Sequence, residues 1–428
     1  MESTEKQAVH YKLKMMEEGL HIIAISYALP PSLFPQSIQI GRLLYHCHAK
    51  VGAVSGKFVN EMRGMDCYPD FSQRMLFHLQ VEYLPAFPPK IHSIARKFLP
   101  LYGRAPDEYK SWIPLAETGV LQQLSKSQHS APQIVSFGEP MSDHLVGLRL
   151  KQKTGLPWVA HFSDPWVDNP FRKLFFFSNI LNRRMEAAVV RAADKLIFTS
   201  RETLSLVMGK YPADWSKKAH VLPHSFDPDI YPEDSSPRNG KITVRYLGSF
   251  YGNRTPFPLL EALRKMLKTS PELLKHVHVE FIGGIPSRML RHPLIKSLPD
   301  GLVNFLPSVS YKESLRLMKE SDLLLVIDAP ASLSVFLPSK LVDYLGADVP
   351  ILGIVPNGSS ASLIQRMGGC VADPSNIPAI IEVLKGALKE CRSRKEISER
   401  KPWGNEEVRQ EYAIECVRKQ FLEILESD

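Results

Sequence analysis

Short continuous runs of hydrophobic residues recur along the chain, and helical patterns lie between several of them. Most runs are apolar or β-branched throughout and do not alternate with polar residues, which is typical of strands buried on both faces of a parallel sheet. The predicted strands of the first half are residues 21–28, 50–55, 78–84, 133–137, 158–162, 195–199 and 220–223, with helices at 36–48 and 179–193.

A polar segment at residues 231–241, YPEDSSPRNGK, interrupts this pattern and is predicted to be an interdomain linker. The alternation then restarts, with strands predicted at 242–247, 277–282, 303–306, 323–327, 351–354 and 370–372. The matching helices are 256–267, 312–319, 339–345, 361–367 and 377–391, followed by a long amphipathic helix over 405–425.

Strand and helix alternating in two blocks predict an α/β protein of two doubly wound, Rossmann-like domains, residues 1–235 and 241–404. Ligands in such folds bind beyond the carboxyl ends of the strands. We therefore expect the site in a cleft where the two domains face each other.

The composition is that of an ordinary globular protein, with 44% hydrophobic and 23% charged residues among 428. No apolar run approaches the roughly 18–20 residues that span a bilayer. Residues 1–19 are polar and charged, unlike a secretory signal, and the five cysteines form no CxxC pair. These features predict a cytoplasmic protein without a zinc site.

The net charge of +8 is spread over both halves of the chain rather than gathered in a basic tail. A diffuse excess of this size favours no nucleic-acid partner. It is compatible with anionic small molecules or with the anionic inner face of a membrane.

Residues 335–350, VFLPSKLVDYLGADVP, contain a helix start with a cation in it. Pro338 suits a first turn, and Ser339 and Lys340 follow in that turn. A cation is unfavourable at the positive end of a helix unless an anion binds there. Asp343 lies on the same helix face, so an ordinary Lys340–Asp343 surface pair is the alternative.

Residues 246–254, YLGSFYGNR, end a predicted strand in a glycine-containing turn. Gly248 and Gly252 allow a backbone to approach a phosphate closely, and the Arg254 guanidinium suits a diphosphate. No GxGxxG follows any strand here, so the sequence shows no dinucleotide fingerprint.

With these segments, the second half resembles the nucleotide-sugar domain of GT-B glycosyltransferases, in particular the large retaining family 4 that builds bacterial surface polysaccharides. The resemblance rests on the turn just described, on LPSVSYKESLRLMKESDLLL (306–325) and on LPSKLVDYLGADVPIL (337–352). In the first half, GLPWVAHFSDPW (155–166) resembles a family segment that ends in a DPW-type motif. The runs ADKLIFTSRETLSLVM and VLPHSFDPDIYP resemble the end of the acceptor domain, so the resemblance covers roughly residues 20–425.

The resemblance implies a donor site in the second half. The diphosphate would be bound by Gly248, Ser249, Arg254, Ser339 and Lys340, and the base by Ser308 and Val309. Asp343 stands where the family commonly has a glutamate that binds the ribose hydroxyls. Val335 stands where another acid often lies near the donor sugar. The family's N-terminal glycine-rich loop is replaced by residues 30–42, PPSLFPQSIQIGR, in which Gln36 and Ser37 are the candidate substitutes.

In the first half, Asp164 follows a predicted strand and precedes Pro165. A carboxylate there would orient or deprotonate an acceptor hydroxyl, and a turn cap before proline is the alternative. Glu139, His144 and His224 also follow predicted strands and are further candidates for contact with acceptor or donor sugar. His161 lies on the opposite face from Asp164 and is interpreted as structural.

Residues 169–184, NPFRKLFFFSNILNRR, mix phenylalanine with arginine and lysine. This mixture suits a membrane surface holding anionic lipid, as a lipid-linked acceptor would require. The alternative is a helix whose phenylalanines pack in the core.

Together these observations predict a glycosyltransferase of the hexosyltransferase type that uses a nucleotide diphosphate sugar as co-substrate. By resemblance it needs no cofactor and no metal, retains the anomeric configuration, and acts on a glycan or lipid-linked acceptor in polysaccharide biosynthesis. Its C-terminal helix, 405–428, would cross back onto the N-terminal domain. Two alternatives stay open: a nucleotide-sugar epimerase of the same fold, and a non-catalytic binding subunit, which Val335 favours.

Overall fold

The computed structural model describes residues 20–30, 32, 35–47, 49–57, 80–85, 105–126, 132–170, 176–232, 240–396 and 402–427. Contacts divide the chain into unit 1, Met1–Pro223 with Val417–Asp428, and unit 2, His224–Cys416. Most of the predicted linker, residues 233–239, lies outside the described residues.

Unit 1 is built on a parallel sheet of seven strands in the order β3-β2-β1-β4-β5-β6-β7. The strands are β1 (His21–Ile25), β2 (Lys50–Lys57), β3 (Gln80–Pro85), β4 (Gln133–Gly138), β5 (Trp158–Phe162), β6 (Lys195–Phe198) and β7 (Ala219–Val221). Its helices include α1 (Pro35–His46), α2 (Ile113–Lys126), α3 (Ser142–Thr154), α4 (Phe176–Ala192) and α5 (Arg201–Met208). Every residue of β1, β4, β5 and β6 is buried, which explains their uninterrupted apolar sequences.

Unit 2 is built on a parallel sheet of six strands in the order β10-β9-β8-β11-β12-β13. The strands are β8 (Ile242–Leu247), β9 (Val277–Ile282), β10 (Val303–Leu306), β11 (Leu323–Ile327), β12 (Ile351–Ile354) and β13 (Cys370–Ala372). The α-helices among its described residues include α6 (Phe257–Thr269), α7 (Ser287–Leu290), α8 (Pro293–Lys296), α9 (Tyr311–Lys319), α10 (Ser339–Ala347), α11 (Ser359–Arg366), α12 (Ile377–Glu396) and α13 (Glu406–Glu411).

Both sheets have the doubly wound order of Rossmann-like domains, as the sequence predicts. In each sheet, the second and third strands of the chain lie on one side of the first strand, and the later strands lie on its other side. The strand order reverses between β1 and β4 in unit 1 and between β8 and β11 in unit 2. Loops diverge at such a switch point, and the crevice beyond the carboxyl ends of these strands is where ligands bind in doubly wound folds.

The predicted helix over 405–425 is instead two helices, α13 and α14 (Ile414–Glu426). The break occurs because the backbone at Tyr412 and Ile414 pairs with Phe226: the Phe226 N–H donates to Tyr412 and the Ile414 N–H donates to Phe226. The side chains of Val417, Phe421, Ile424 and Leu425 pack in the core of unit 1. No helix in the described ranges is both long and apolar enough to cross a membrane.

Candidate functional site

Loops at the carboxyl ends of three neighbouring strands form the candidate site of unit 2. β8 is followed by Gly248 and Ser249, β9 by Gly283 and Gly284, and β11 by Asp328. A Cβ atom on Gly283 would lie 2.2 Å from the Gly248 carbonyl oxygen, so the backbones meet where only glycine fits. The Gly284 N–H donates to the Ser249 hydroxyl at 3.3 Å. These contacts hold the predicted phosphate-binding turn in place at the switch point.

Lys340 enters this region from the first turn of α10, which begins at Ser339. Its ammonium lies 3.8 Å from the centre of the Tyr246 ring, and a Cβ on Gly248 would be 2.6 Å from Lys340 Nζ. Within the described part of the chain, this ammonium has no carboxylate partner and no hydrogen-bond acceptor. The alternative of a Lys340–Asp343 surface pair is therefore not what the structure shows.

The surroundings of Lys340 disfavour its charged form. Burial of the ammonium lowers the pKa of Lys340 well below its ordinary value, and the nearby positive charge of Arg254 lowers it further, whereas Asp328 acts in the opposite direction. An additional negative charge at this position would stabilise the protonated lysine, because the described residues supply no carboxylate partner for it.

Arg254 is held at the same place by a buried ion pair with Asp328. The Asp328 Oδ1 atom accepts from Arg254 Nη2 at 2.9 Å, from Nε at 3.3 Å and from the Ala329 N–H at 2.8 Å. The Ser334 hydroxyl donates to Asp328 Oδ2 at 2.9 Å. The third guanidinium nitrogen, Nη1, donates to the Tyr251 hydroxyl at 3.0 Å. Arg254 is thus fixed in one orientation with its charge beside Lys340.

The arrangement can bind an anion that carries more than one negative charge. Arg254 pairs with Asp328, whereas Lys340 has no carboxylate partner among the described residues, and the first N–H groups of α10 at Ser339 have no partners within the helix. A diphosphate is such an anion, and its oxygens can accept from the guanidinium, the ammonium and the backbone N–H groups.

Asp343 is buried on α10, with 4% of its surface exposed, and its Oδ1 accepts from the Tyr311 hydroxyl at 2.8 Å. Tyr311 begins α9, which directly follows the exposed loop of Ser308 and Val309. This hydrogen bond places the predicted ribose-binding Asp343 beside the start of α9, two residues after Val309. Val335 is buried, and its carbonyl accepts from the Ser359 hydroxyl.

In unit 1, Asp164 lies two residues beyond the end of β5 and is half-buried. Trp166 of the same motif is fully buried, and its Nε1–H donates to Asn182 Oδ1 at 2.6 Å. The Val167 N–H donates to the buried Glu186 at 3.0 Å. Trp166 and Val167 thus anchor the loop to α4, and Asp164 places a carboxylate at the carboxyl edge of the sheet.

The other candidates are placed as follows. Glu139 follows β4 and is half-buried, and its carbonyl accepts from the Gln36 side-chain amide. Ser37 is fully buried, and its hydroxyl donates to the Ser32 carbonyl at 2.6 Å. His224 is half-buried and belongs to unit 2.

His144 and His161 are buried side chains of the unit 1 core. The His144 Nδ1 lies 2.9 Å from the Ser136 hydroxyl. Burial, with a smaller effect of His161, lowers the pKa of His144 to about 3, and burial lowers the pKa of His161 to about 4. Both imidazoles are therefore neutral near pH 7. Burial also raises the pKa of Asp143 well above its ordinary value.

Three residues of the unit 2 site are missing from the sequence prediction: Tyr246, Gly283 and Asp328. Asp328 carries the same signal as Asp164, an acid directly beyond an apolar strand, and could have been identified by it. Tyr246 has the sequence pattern of a core strand residue, and its contact with Lys340 depends on the tertiary structure.

Among the described residues, no group of three or more His, Cys, Asp or Glu side chains is placed to hold a metal ion.

No protein-family model matches this chain, and no curated protein matches it by sequence. Solved structures do match. HepE from Anabaena, in complex with UDP and glucose, is similar with a TM-score of 0.63 and 13% identity, over 95% of this chain and 99% of that one. Sucrose-phosphate synthase from Thermosynechococcus elongatus is similar with a TM-score of 0.66 and 14% identity, over 95% and 98%.

WaaG, a glycosyltransferase involved in lipopolysaccharide biosynthesis, is similar with a TM-score of 0.57 and 17% identity, over 94% of this chain and 99% of that one. At these identities the likeness establishes the fold. It confirms the predicted GT-B architecture of Rossmann-like domains.

Proposed function

We propose that the protein is a glycosyltransferase that moves a hexosyl group from a nucleotide diphosphate sugar to a hydroxyl of a glycan or lipid-linked acceptor, with retention, in polysaccharide biosynthesis. The observation that carries the proposal is the Lys340 ammonium, which has no acceptor among the described residues and lies beside Arg254 at the switch point of unit 2. The fold shared with HepE, which was crystallised with UDP and UDP-glucose, makes UDP the first nucleotide to test.

In the proposed reaction, the bond between the anomeric carbon and the diphosphate oxygen breaks, and the electron pair leaves with the diphosphate. Arg254 and Lys340 stabilise the charge that develops there. A bond forms between the acceptor oxygen and the anomeric carbon. The acceptor proton goes to the Asp164 carboxylate or, where Asp164 only orients the hydroxyl, to the departing diphosphate.

The proposal is tested first by calorimetric titration with UDP, GDP, ADP and CMP, and then by assaying donor sugars for release of the preferred nucleotide. We expect one nucleoside diphosphate to bind clearly better than the others. If none binds to the folded protein, the donor site does not function, and the non-catalytic alternative replaces this proposal.

The acceptor role is tested with Asp164→Asn, which we expect to abolish transfer while nucleotide binding persists. Asp214→Asn is the matched control, because Asp214 is an exposed acid of unit 1 with 84% of its side chain accessible. Product analysis without acceptor separates transfer from epimerisation: an epimerised donor sugar would support the epimerase instead.

A further inference from the structure

The first turns of α4 expose an apolar surface. Phe176 and Phe177 are 74% and 66% exposed, and Ile180 and Leu181 are 36% and 43% exposed. In the described part of unit 1, Leu115 is the only other large hydrophobic residue with comparable exposure. Clustering within six residues distinguishes this surface from the scattered apolar residues of an ordinary protein surface.

The buried side of the same turns is polar, so this part of α4 inverts the usual amphipathic pattern, whereas Val189 and Val190 of its last turns are buried in the core. Ser178, Asn182 and Glu186 are all fully buried. Asn182 accepts from the Trp166 Nε1–H, and Glu186 accepts from Lys210 at 2.6 Å. A surface helix normally turns its apolar side toward the core. Because these hydrogen bonds fix the polar side inward, the apolar side is held outward.

Three arginines continue this exposed side along the helix. Arg183, Arg184 and Arg191 are exposed, and no carboxylate partner exists for them among the described residues. The only acid of α4 is Glu186, which faces inward. The outward surface, called here the α4 face, therefore combines apolar side chains with positive charge: Phe176, Phe177, Ile180, Leu181, Arg183, Arg184 and Arg191.

We propose that the α4 face docks the protein on a lipid bilayer that carries anionic headgroups. Aromatic and aliphatic side chains at one end of a helix can enter the boundary between headgroups and acyl chains, while the arginines bind lipid phosphates. A second copy of this chain fits less well as the occupant, because a two-fold contact through this face would bring the arginines of both copies together. The alternative interpretation of residues 169–184 was a helix whose phenylalanines pack in the core. Phe176 and Phe177 are exposed and are not core residues.

The proposal is tested by sedimentation of the full-length protein with vesicles of phosphatidylcholine, alone or mixed with phosphatidylglycerol. We expect binding to the anionic vesicles only, and weaker binding at about 1 M salt, where the Debye length falls to about 3 Å. Replacing both rings, Phe176→Ser with Phe177→Ser, should lower the partition coefficient at least about tenfold. Arg184→Gln should lower it about fivefold.

Two controls match these changes elsewhere in unit 1. Leu115→Ser removes an exposed apolar side chain from α2, and Arg201→Gln removes an exposed arginine from α5. Both should bind anionic vesicles like the unchanged protein. Circular dichroism and melting temperature establish that the variants are folded, and Leu181→Ser provides a second test if the double variant is not.

Absence of vesicle binding by the unchanged protein overturns the proposal, as does a folded double variant that binds undiminished. A dimer in light scattering that the double variant abolishes would assign the face to self-association instead. Since no nucleotide is present in these assays, their outcome is independent of the proposed donor chemistry.

Discussion

Replacing Lys340 by methionine should separate ligand binding from stability. The ammonium is partly buried on the Tyr246 ring, lacks an acceptor among the described residues, and has a lowered pKa. Methionine keeps the length and apolar contacts of the side chain and removes a poorly compensated charge. We therefore expect the melting temperature of the ligand-free protein to stay the same or rise.

Binding of UDP should respond in the opposite direction. A charge-assisted hydrogen bond contributes about 1.5–3 kcal/mol, so its loss should weaken UDP binding about 10- to 150-fold. The measurement is calorimetric titration with UDP, paired with thermal melting without it. Lys312→Met is the matched control, because Lys312 is an exposed lysine of the same unit.

Two results would refute this reasoning. If Lys340→Met binds UDP as tightly as the unchanged protein, the ammonium does not contact the diphosphate. If the variant melts at a clearly lower temperature without ligand, Lys340 stabilises the fold, and its charge is not the poorly compensated one inferred here.

Three further predictions concern the glycine turn, the buried histidines and the C-terminal helix. Gly248→Ala should weaken UDP binding, because its methyl group would lie 2.6 Å from the Lys340 ammonium. Gly252→Ala has open space around it and a φ of 57°, so it should cost only about 1–2 kcal/mol of stability. Equal UDP affinities of the two variants would contradict this prediction. The neutral, buried His161 has a folded pKa of about 4 against about 6.5 when unfolded, so its contribution is present above pH 6.5 and lost as pH falls toward 4. His161→Phe should therefore remove about 2 kcal/mol of the stability loss between pH 7 and pH 5 in urea titrations, and an unchanged pH profile would argue against a buried neutral imidazole. Lys195 donates to the carbonyls of Ile424 at 2.6 Å and Leu425 at 3.1 Å, so Lys195→Met should destabilise unit 1 by about 1–3 kcal/mol, and an unshifted urea midpoint would count against that bond.

The central strands could be predicted because every residue of β1, β4, β5, β6, β11 and β12 is buried. Burial demands a nearly continuous apolar run, and that signal needs no knowledge of neighbours: the predicted runs at 158–162 and 323–327 are β5 and β11 to the residue. The C-terminal helix was predicted in the wrong form because its break depends on backbone pairing with Phe226, almost two hundred residues earlier, and amphipathic periodicity continues through it.

The candidate site was predictable as far as it consists of local motifs. The glycine turn at Gly248, the cation at Arg254 and the helix start at Lys340 are each visible in a few consecutive residues. Asp328 was missed because its function there comes from a partner 74 residues away, and Tyr246 because a strand residue contacts Lys340 only when α10 packs beside β8.

By itself, the sequence determined which segments are strands and helices, that the architecture is a doubly wound α/β one, and which short motifs carry charge. Those properties follow from periodicity and residue chemistry, which act over a few residues. Only the tertiary structure decided which charges are neighbours, that Lys340 has no partner from Asp343, and that α4 turns its phenylalanines outward. These outcomes depend on hydrogen bonds and packing contacts between separate segments, for example the hydrogen bond of Trp166 with Asn182. A single sequence does not show which segments are in contact.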